Sequence, residues 1–154
     1  IAEDLLFRYL NGITSVTSLR IFNVYGNFQS KYFLIPTIVN QAKKNRKIKL
    51  NDLRPKRDFL YINDLINLID KIIESKSETG IFNVGYGKST SIKEITEAIS
   101  VLLNINVELI SKNEIRPNEV LDLYSDISKV KRTFNWEPKY SIIQGLTDYL
   151  KNEK

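Results

Sequence analysis

The stretch Leu19-Arg20-Ile21-Phe22-Asn23-Val24-Tyr25-Gly26 decides the fold. Residues 15–22 are rich in β-branched and apolar side chains, which predicts a buried strand. The run then breaks into a polar turn at Asn23 and Gly26. A strand ending this way puts polar side chains and free amides at the carboxyl edge of a sheet, where open α/β folds bind their ligands. Two arginine motifs follow, Arg57-Asp58-Phe59 and Arg116-Pro117-Asn118-Glu119. The planar fork of arginine donates two parallel hydrogen bonds to an anionic group, so both residues could grip one at that edge.

Working outward, the chain alternates helices and short strands. Residues 2–10 read as the end of a helix. Pro36 opens another, with Ile35, Ile38, Val39 and Ala42 at helical spacing and a lysine-rich last turn. Residues 48–50 form a short strand, 51–56 a polar loop ending at Arg57, and 59–62 a strand. Asp64 can cap the helix that follows, whose stripe is Leu65, Leu68, Ile69 and Ile72. Residues 80–84 and 107–111 are further strands. Ser91 and Glu94 form a capping box for a helix to about residue 103, because each side chain satisfies an amide left over at the helix start. Short helices over 127–134 and 142–151 complete a mixed α/β chain. The strand at 15–22 belongs to a parallel sheet whose other strands are expected outside this chain. Its uncovered edge would favour dimerisation or strand exchange in an isolated fragment.

With 42% hydrophobic and 27% charged residues in 154, one ordinary core is affordable. No apolar run approaches the roughly 20 residues of a membrane span, and these residues do not open on a charged-then-apolar stretch, so no targeting signal is expected among them. A soluble cytoplasmic protein is the expectation. The first residue is not Met, so the start reads as a truncation or processing boundary. Zero cysteine excludes disulfides and thiolate metal sites. Zero histidine removes the commonest metal ligand and acid/base group, so no metal site is expected. The net charge of +5 raises nucleic-acid binding as an alternative. The basic cluster at Lys43, Lys44, Arg46 and Lys47 lacks interleaved stacking aromatics, however. It is better read as a helix C-terminus whose cations complement the macrodipole.

Six motifs in order resemble a known group. They are Arg20 with Asn23-Val24-Tyr25-Gly26, Arg57-Asp58-Phe59-Leu60-Tyr61-Ile62-Asn63-Asp64, Asn83-Val84-Gly85, Arg116-Pro117, Asp126-Ile127-Ser128-Lys129, and Trp136 with Pro138. Together they resemble the second half of the extended short-chain dehydrogenase/reductases, the NAD-dependent nucleotide-sugar epimerases and dehydratases of UDP-glucose 4-epimerase type. The resemblance runs from Ile1 to about Leu146. It implies the last part of a Rossmann-like parallel sheet (residues 1–30, the tail of an NAD-binding domain) plus a small mixed α/β substrate-binding domain (31–154). The two would be partly interleaved. In that family a glycine-rich loop holds the cofactor pyrophosphate and a Tyr-x-x-x-Lys pair moves protons; this chain has neither. Gly85-Tyr86-Gly87 lacks a third glycine and reads as a turn. No catalytic residue is therefore assigned.

The resemblance also implies roles for particular residues. Asn23 matches the asparagine that meets the substrate near the sugar-phosphate junction, the alternative being a side chain that caps its own turn. Phe22 matches the position whose backbone meets the nicotinamide carboxamide of NAD, with NADP not excluded. Arg57 and Arg116 would hold the diphosphate, the alternative being surface ion pairs of Arg57 with Asp58 or Asp64 and of Arg116 with Glu119. Glu119 would accept from a ribose hydroxyl. Asn118 stands where the family has Gly, which narrows the backbone there. Phe33 and Leu34, with Ile48, Lys49 and Leu50, match the segments that sandwich the base. Asp126, Ser128, Trp136 and Pro138 are assigned to structure.

The function so implied is the substrate-binding half of an enzyme that transiently oxidises a nucleoside-diphosphate sugar with NAD, the piece alone being inert. A homodimer is expected of the full-length parent. The alternative from another class is a non-catalytic nucleotide-binding or interaction module.

Overall fold

The computed structural model describes residues 2–10, 12–75 and 78–152. Ile1, where the resemblance starts, and residues 153–154, the end of the expected substrate domain, lie outside the described residues.

The chain opens with helix α1 (Ala2–Leu10), which buries none of its side chains and leaves Leu5, Leu6 and Tyr9 exposed. Strand β1 (Thr17–Ile21) follows, held to α1 by Arg20, whose guanidinium lies 2.6 Å from Glu3. At Phe22 the chain steps from one sheet into another. Asn23–Tyr25 is itself a strand, β2, rather than the polar turn expected of it. The reason is a partner: β2 pairs in parallel with β4 (Lys56–Tyr61), Asn23 opposite Phe59 and Tyr25 opposite Tyr61. β1 likewise finds a parallel partner inside the chain, β5 (Gly80–Val84), so the expectation that its sheet lies wholly elsewhere is corrected.

Between these strands run α2 (Leu34–Asn45), β3 (Lys47–Leu50) and α3 (Ile62–Ser75). α2 ends at Arg46 in the left-handed conformation, φ 54°, with Lys43 and Lys44 in its last turn as the charge pattern suggested. β4 begins three residues earlier than expected. Two very short strands extend it: β6 (Ser89–Ser91) pairs antiparallel with Lys56–Asp58, and β8 (Asp122–Leu123) pairs in parallel on its other flank. α3 starts directly after Tyr61, so Asp64 is not its cap. Its buried carboxylate instead accepts from the amides of Lys139 and Tyr140, at 2.9 and 3.1 Å, and burial raises its pKa. The capping box at Ser91 opens α4 (Ile92–Leu103) as read. Then come β7 (Glu108–Ser111), parallel to β3, α5 (Ser128–Phe134) and α6 (Ile142–Asn152).

Side chains alternate along a strand, and β4 uses this to divide two cores. Phe59 and Tyr61 join Tyr25, Ile38, Ile95 and Leu146 on one face, among α2, α4 and α6. Leu60 joins Leu68, Phe82, Val130 and Trp136 on the other, against α3 and α5. Trp136 is a packing anchor whose indole N–H donates to the Asp64 carbonyl at 3.1 Å. Among the described residues no helix is long and apolar enough to cross a membrane.

Candidate functional site

A cleft of about 520 Å³ opens where the start of α2, the end of β3, the start of β4 and the loop after β7 meet. Leu34, Thr37 and Gln41 line it from α2, because residues spaced three and four apart share one helix face. Lys49 and Leu50 come from β3, Arg57 and Phe59 from β4, and Lys112, Arg116 and Glu119 from the loop. Of the sequence-derived candidates, Leu34, Lys49, Leu50, Arg57, Arg116 and Glu119 are thus brought together. Phe33, Asn23 and Phe22 line a smaller neighbouring cavity of about 210 Å³, which shares Leu34 and Phe59 with the main cleft. Ile48 falls in neither: its side chain is fully buried in the core, because β3 alternates and Ile48 is its inward residue.

Arg57 lies on β4, not at the end of a loop, and neither Asp58 nor Asp64 is its partner. One terminal guanidinium nitrogen donates to the carbonyls of Lys56 and Val120, at 2.8 and 2.7 Å, and the second terminal nitrogen to the Glu119 carboxylate. Three of five N–H groups are so used, leaving two for a ligand. Arg116 is exposed and pairs with no protein group among the described residues, Glu119 being held by Arg57 instead. Asn118 has φ 57°, the conformation for which the family's glycine is suited. Asparagine is among the few side chains that tolerate it. At the rim, Arg54 pairs with Asp52 at 2.8 Å and holds that carboxyl at about 2.

Asp58 points the opposite way. Its carboxylate, fully buried, accepts from the amides of Tyr86 (2.6 Å), Gly87 (3.0 Å) and Ser125 (3.0 Å) and from the Ser125 hydroxyl (2.6 Å). The Gly85-Tyr86-Gly87 turn therefore has two of its amides committed to Asp58. A Cβ on Gly85 would lie 2.8 Å from the Asp58 carboxyl carbon. The amides of Tyr86 and Gly87 are therefore not available to cradle a pyrophosphate, so the turn does not fit a dinucleotide. Phe22 donates its own N–H to Val84 at 2.9 Å, which removes that group from any nicotinamide contact. Asn23 donates its amide to the Asp58 carbonyl at 3.1 Å, tying the two motifs together rather than capping its own turn.

Gln41 and Lys112 escaped the sequence reading. The first was legible as the long polar side chain of the Leu34, Thr37, Gln41 face. The second follows from the register of β3 with β7, which sets Leu50 opposite Ser111 and brings the next residue to the cleft. No cluster of acidic, histidine or cysteine side chains among the described residues has the makings of a metal site.

The family model of GDP-mannose 4,6 dehydratase matches residues 6–149. The chain is 29% identical over 136 residues to CDP-abequose synthase of Salmonella muenchen, covering 86% of this chain and 46% of that protein. It is similar in structure to dTDP-glucose 4,6-dehydratase of Bacillus anthracis in complex with NAD, with a TM-score of 0.81 and 26% identity, over 97% of this chain and 48% of that one. The fold is also that of UDP-glucose 4-epimerase of Thermotoga maritima with UDP-glucose, at a TM-score of 0.83 and 23% identity, over 97% of this chain and 49% of that one. The chain spans about half the length of the curated relatives it matches. With its motif order, its Rossmann-like α/β fold and this match, the chain belongs to the GDP-mannose 4,6-dehydratase family of extended short-chain dehydrogenase/reductases, among the nucleotide-sugar epimerases and dehydratases.

Proposed function

We propose that this chain is the substrate-binding half of a cytoplasmic, NAD-dependent nucleotide-sugar epimerase or dehydratase. The carrying observation is the cleft in which Arg57 and Arg116 stand beside the apolar Leu34 and Leu50. A diphosphate needs fixed forks and a base needs apolar faces, and both are offered within about 520 Å³. Glu119 serves twice in this reading. It orients Arg57 through one oxygen and leaves the other for a ribose hydroxyl. Asn23, in the adjoining cavity, faces the sugar end.

Residues 1–30 are then the tail of the cofactor domain and 31–154 the substrate domain, interleaved where β5 returns to pair with β1. NAD, which would supply hydride transfer, belongs to the parent's other half. That half would cover the exposed Leu5, Leu6, Tyr9 and Ile21. A homodimeric parent is part of the same reading. Calorimetry of the 154-residue chain with UDP, dTDP and GDP tests the binding part, and at least one should bind. Incubation with UDP-glucose and NAD should give no turnover; turnover at an ordinary enzymatic rate would overturn the assignment to an inert half.

A further inference from the structure

We propose that Gln41 is an internal competitor for the edge of the nucleobase, a side chain that must leave the Lys49 backbone before a base can bind there. The inference rests on the nucleotide reading of that cleft. It comes from the way β3 is finished on its two edges. One edge is paired in parallel with β7, Lys47 opposite Glu108 through Leu50 opposite Ser111. In a parallel ladder alternate residues turn their N–H and C=O to the same side. Leu50 turns toward β7, accepting from the Lys112 amide at 2.8 Å, and so does Arg46, accepting from Glu108 at 2.9 Å. Lys49 therefore presents its peptide groups to the opposite edge.

Among the described residues no strand lies there. The side chain of Gln41 stands in for one: its Oε1 accepts from the Lys49 N–H at 2.7 Å and its Nε2 donates to the Lys49 carbonyl at 3.3 Å. Both residues line the 520 Å³ cleft. A primary amide presents a donor beside an acceptor, and the lactam edge of uracil, thymine or guanine presents the same pair in the same plane. Such an edge can replace Gln41 on Lys49 group for group. The exchange is eased by the long donor half of the contact, since a hydrogen bond at 3.3 Å is weaker than one at 2.7 Å. It needs no backbone movement either, because a single flexible side chain leaves. The base would then lie between Leu34 and Leu50, with its diphosphate toward Arg57 and Arg116. In the empty chain the amide keeps β3's edge satisfied and closed.

The consequence runs against the usual effect of trimming a binding site. Removing the amide should strengthen nucleotide binding. Titration calorimetry of the chain, of Gln41→Ala and of Gln41→Asn, each with UDP and with inorganic pyrophosphate, is the test. Asparagine keeps the amide but is one methylene too short to reach Lys49. Both variants should lower the Kd for UDP about fivefold, the worth of one net hydrogen bond no longer to be broken. The Kd for pyrophosphate should not move. Thermal melts establish that both variants are folded. Equal or weaker UDP binding by both folded variants overturns the role of Gln41 while leaving the nucleotide cleft standing. UDP binding by none of the three proteins overturns the nucleotide reading, and this inference with it.

Discussion

Arg57 and Asp58 are neighbours on β4, and they serve opposite regions of the molecule. Arg57 faces the cleft, is 22% exposed at its side chain, and donates to the Lys56 carbonyl and to the loop at 119–120, with two donors left over. Asp58 faces inward and spends its carboxylate on four donors from the turn at 86–87 and from Ser125. The one residue lines the cleft with donors left over, the other fastens parts of the chain together. Strand alternation alone separates them. An Arg-Asp pair in sequence is thus not an ion pair in space, and the two halves of the motif should fail in different ways.

The largest effect should come from Asp58→Asn. The substituted amide turns an NH2 toward backbone donors and leaves at least one of them unpaired in the interior. We expect a loss of about 3 kcal/mol of unfolding free energy by urea titration. A variant as stable as the parent chain would break the comparison from the buried side. Arg57→Ala should cost only about 1 kcal/mol by the same titration, since its partners lie near water. Asn118→Ala sharpens the description of the loop that Arg57 holds. Alanine is strained at φ 57°, so a loss of about 1 kcal/mol is expected, whereas Asn118→Gly should cost nothing. Equal effects from both substitutions would mean that the left-handed turn is unimportant.

The smallest effect concerns Asp52 at the rim. Hydrogen bonds from Arg54 hold its carboxyl at about 2, against an ordinary 3.8. A lowered carboxylate contributes stability that is present above the ordinary value and lost as pH falls toward the folded one. The contribution of this pair should therefore fade between about pH 4 and pH 2. Carboxyl-carbon NMR should place the Asp52 titration near 2, and Arg54→Ala should return it toward 3.8.

Much of this was legible in the sequence. The stripe of α2, the box at Ser91 and the β-branched runs of β1 and β5 are local signals, and local physics produces them. Arg57, Arg116, Leu34 and Leu50 were named from motif order and share a cleft. What escaped depends on distant partners. β6 and β8 carry two or three polar or exposed residues each and exist only because β4 lies between them. Asn23–Tyr25 looked like a turn because its strand partner lies 36 residues away. Asp64 looked like a cap because its true partners, the amides of Lys139 and Tyr140, belong to a segment some 75 residues on. Motif order groups Ile48 with the base-binding segment, whereas alternation along β3 turns its side chain into the core.

The central claim is that the cleft above Arg57 holds a nucleoside diphosphate. The most direct measurement is the Kd for UDP of the chain, of Arg57→Ala and of Arg116→Ala, by titration calorimetry at low salt. The expected result is binding by the chain and a loss of about tenfold or more in each variant, as for removal of a charge-assisted hydrogen bond to phosphate. Binding that neither substitution weakens, or no binding by the chain at all, would contradict it.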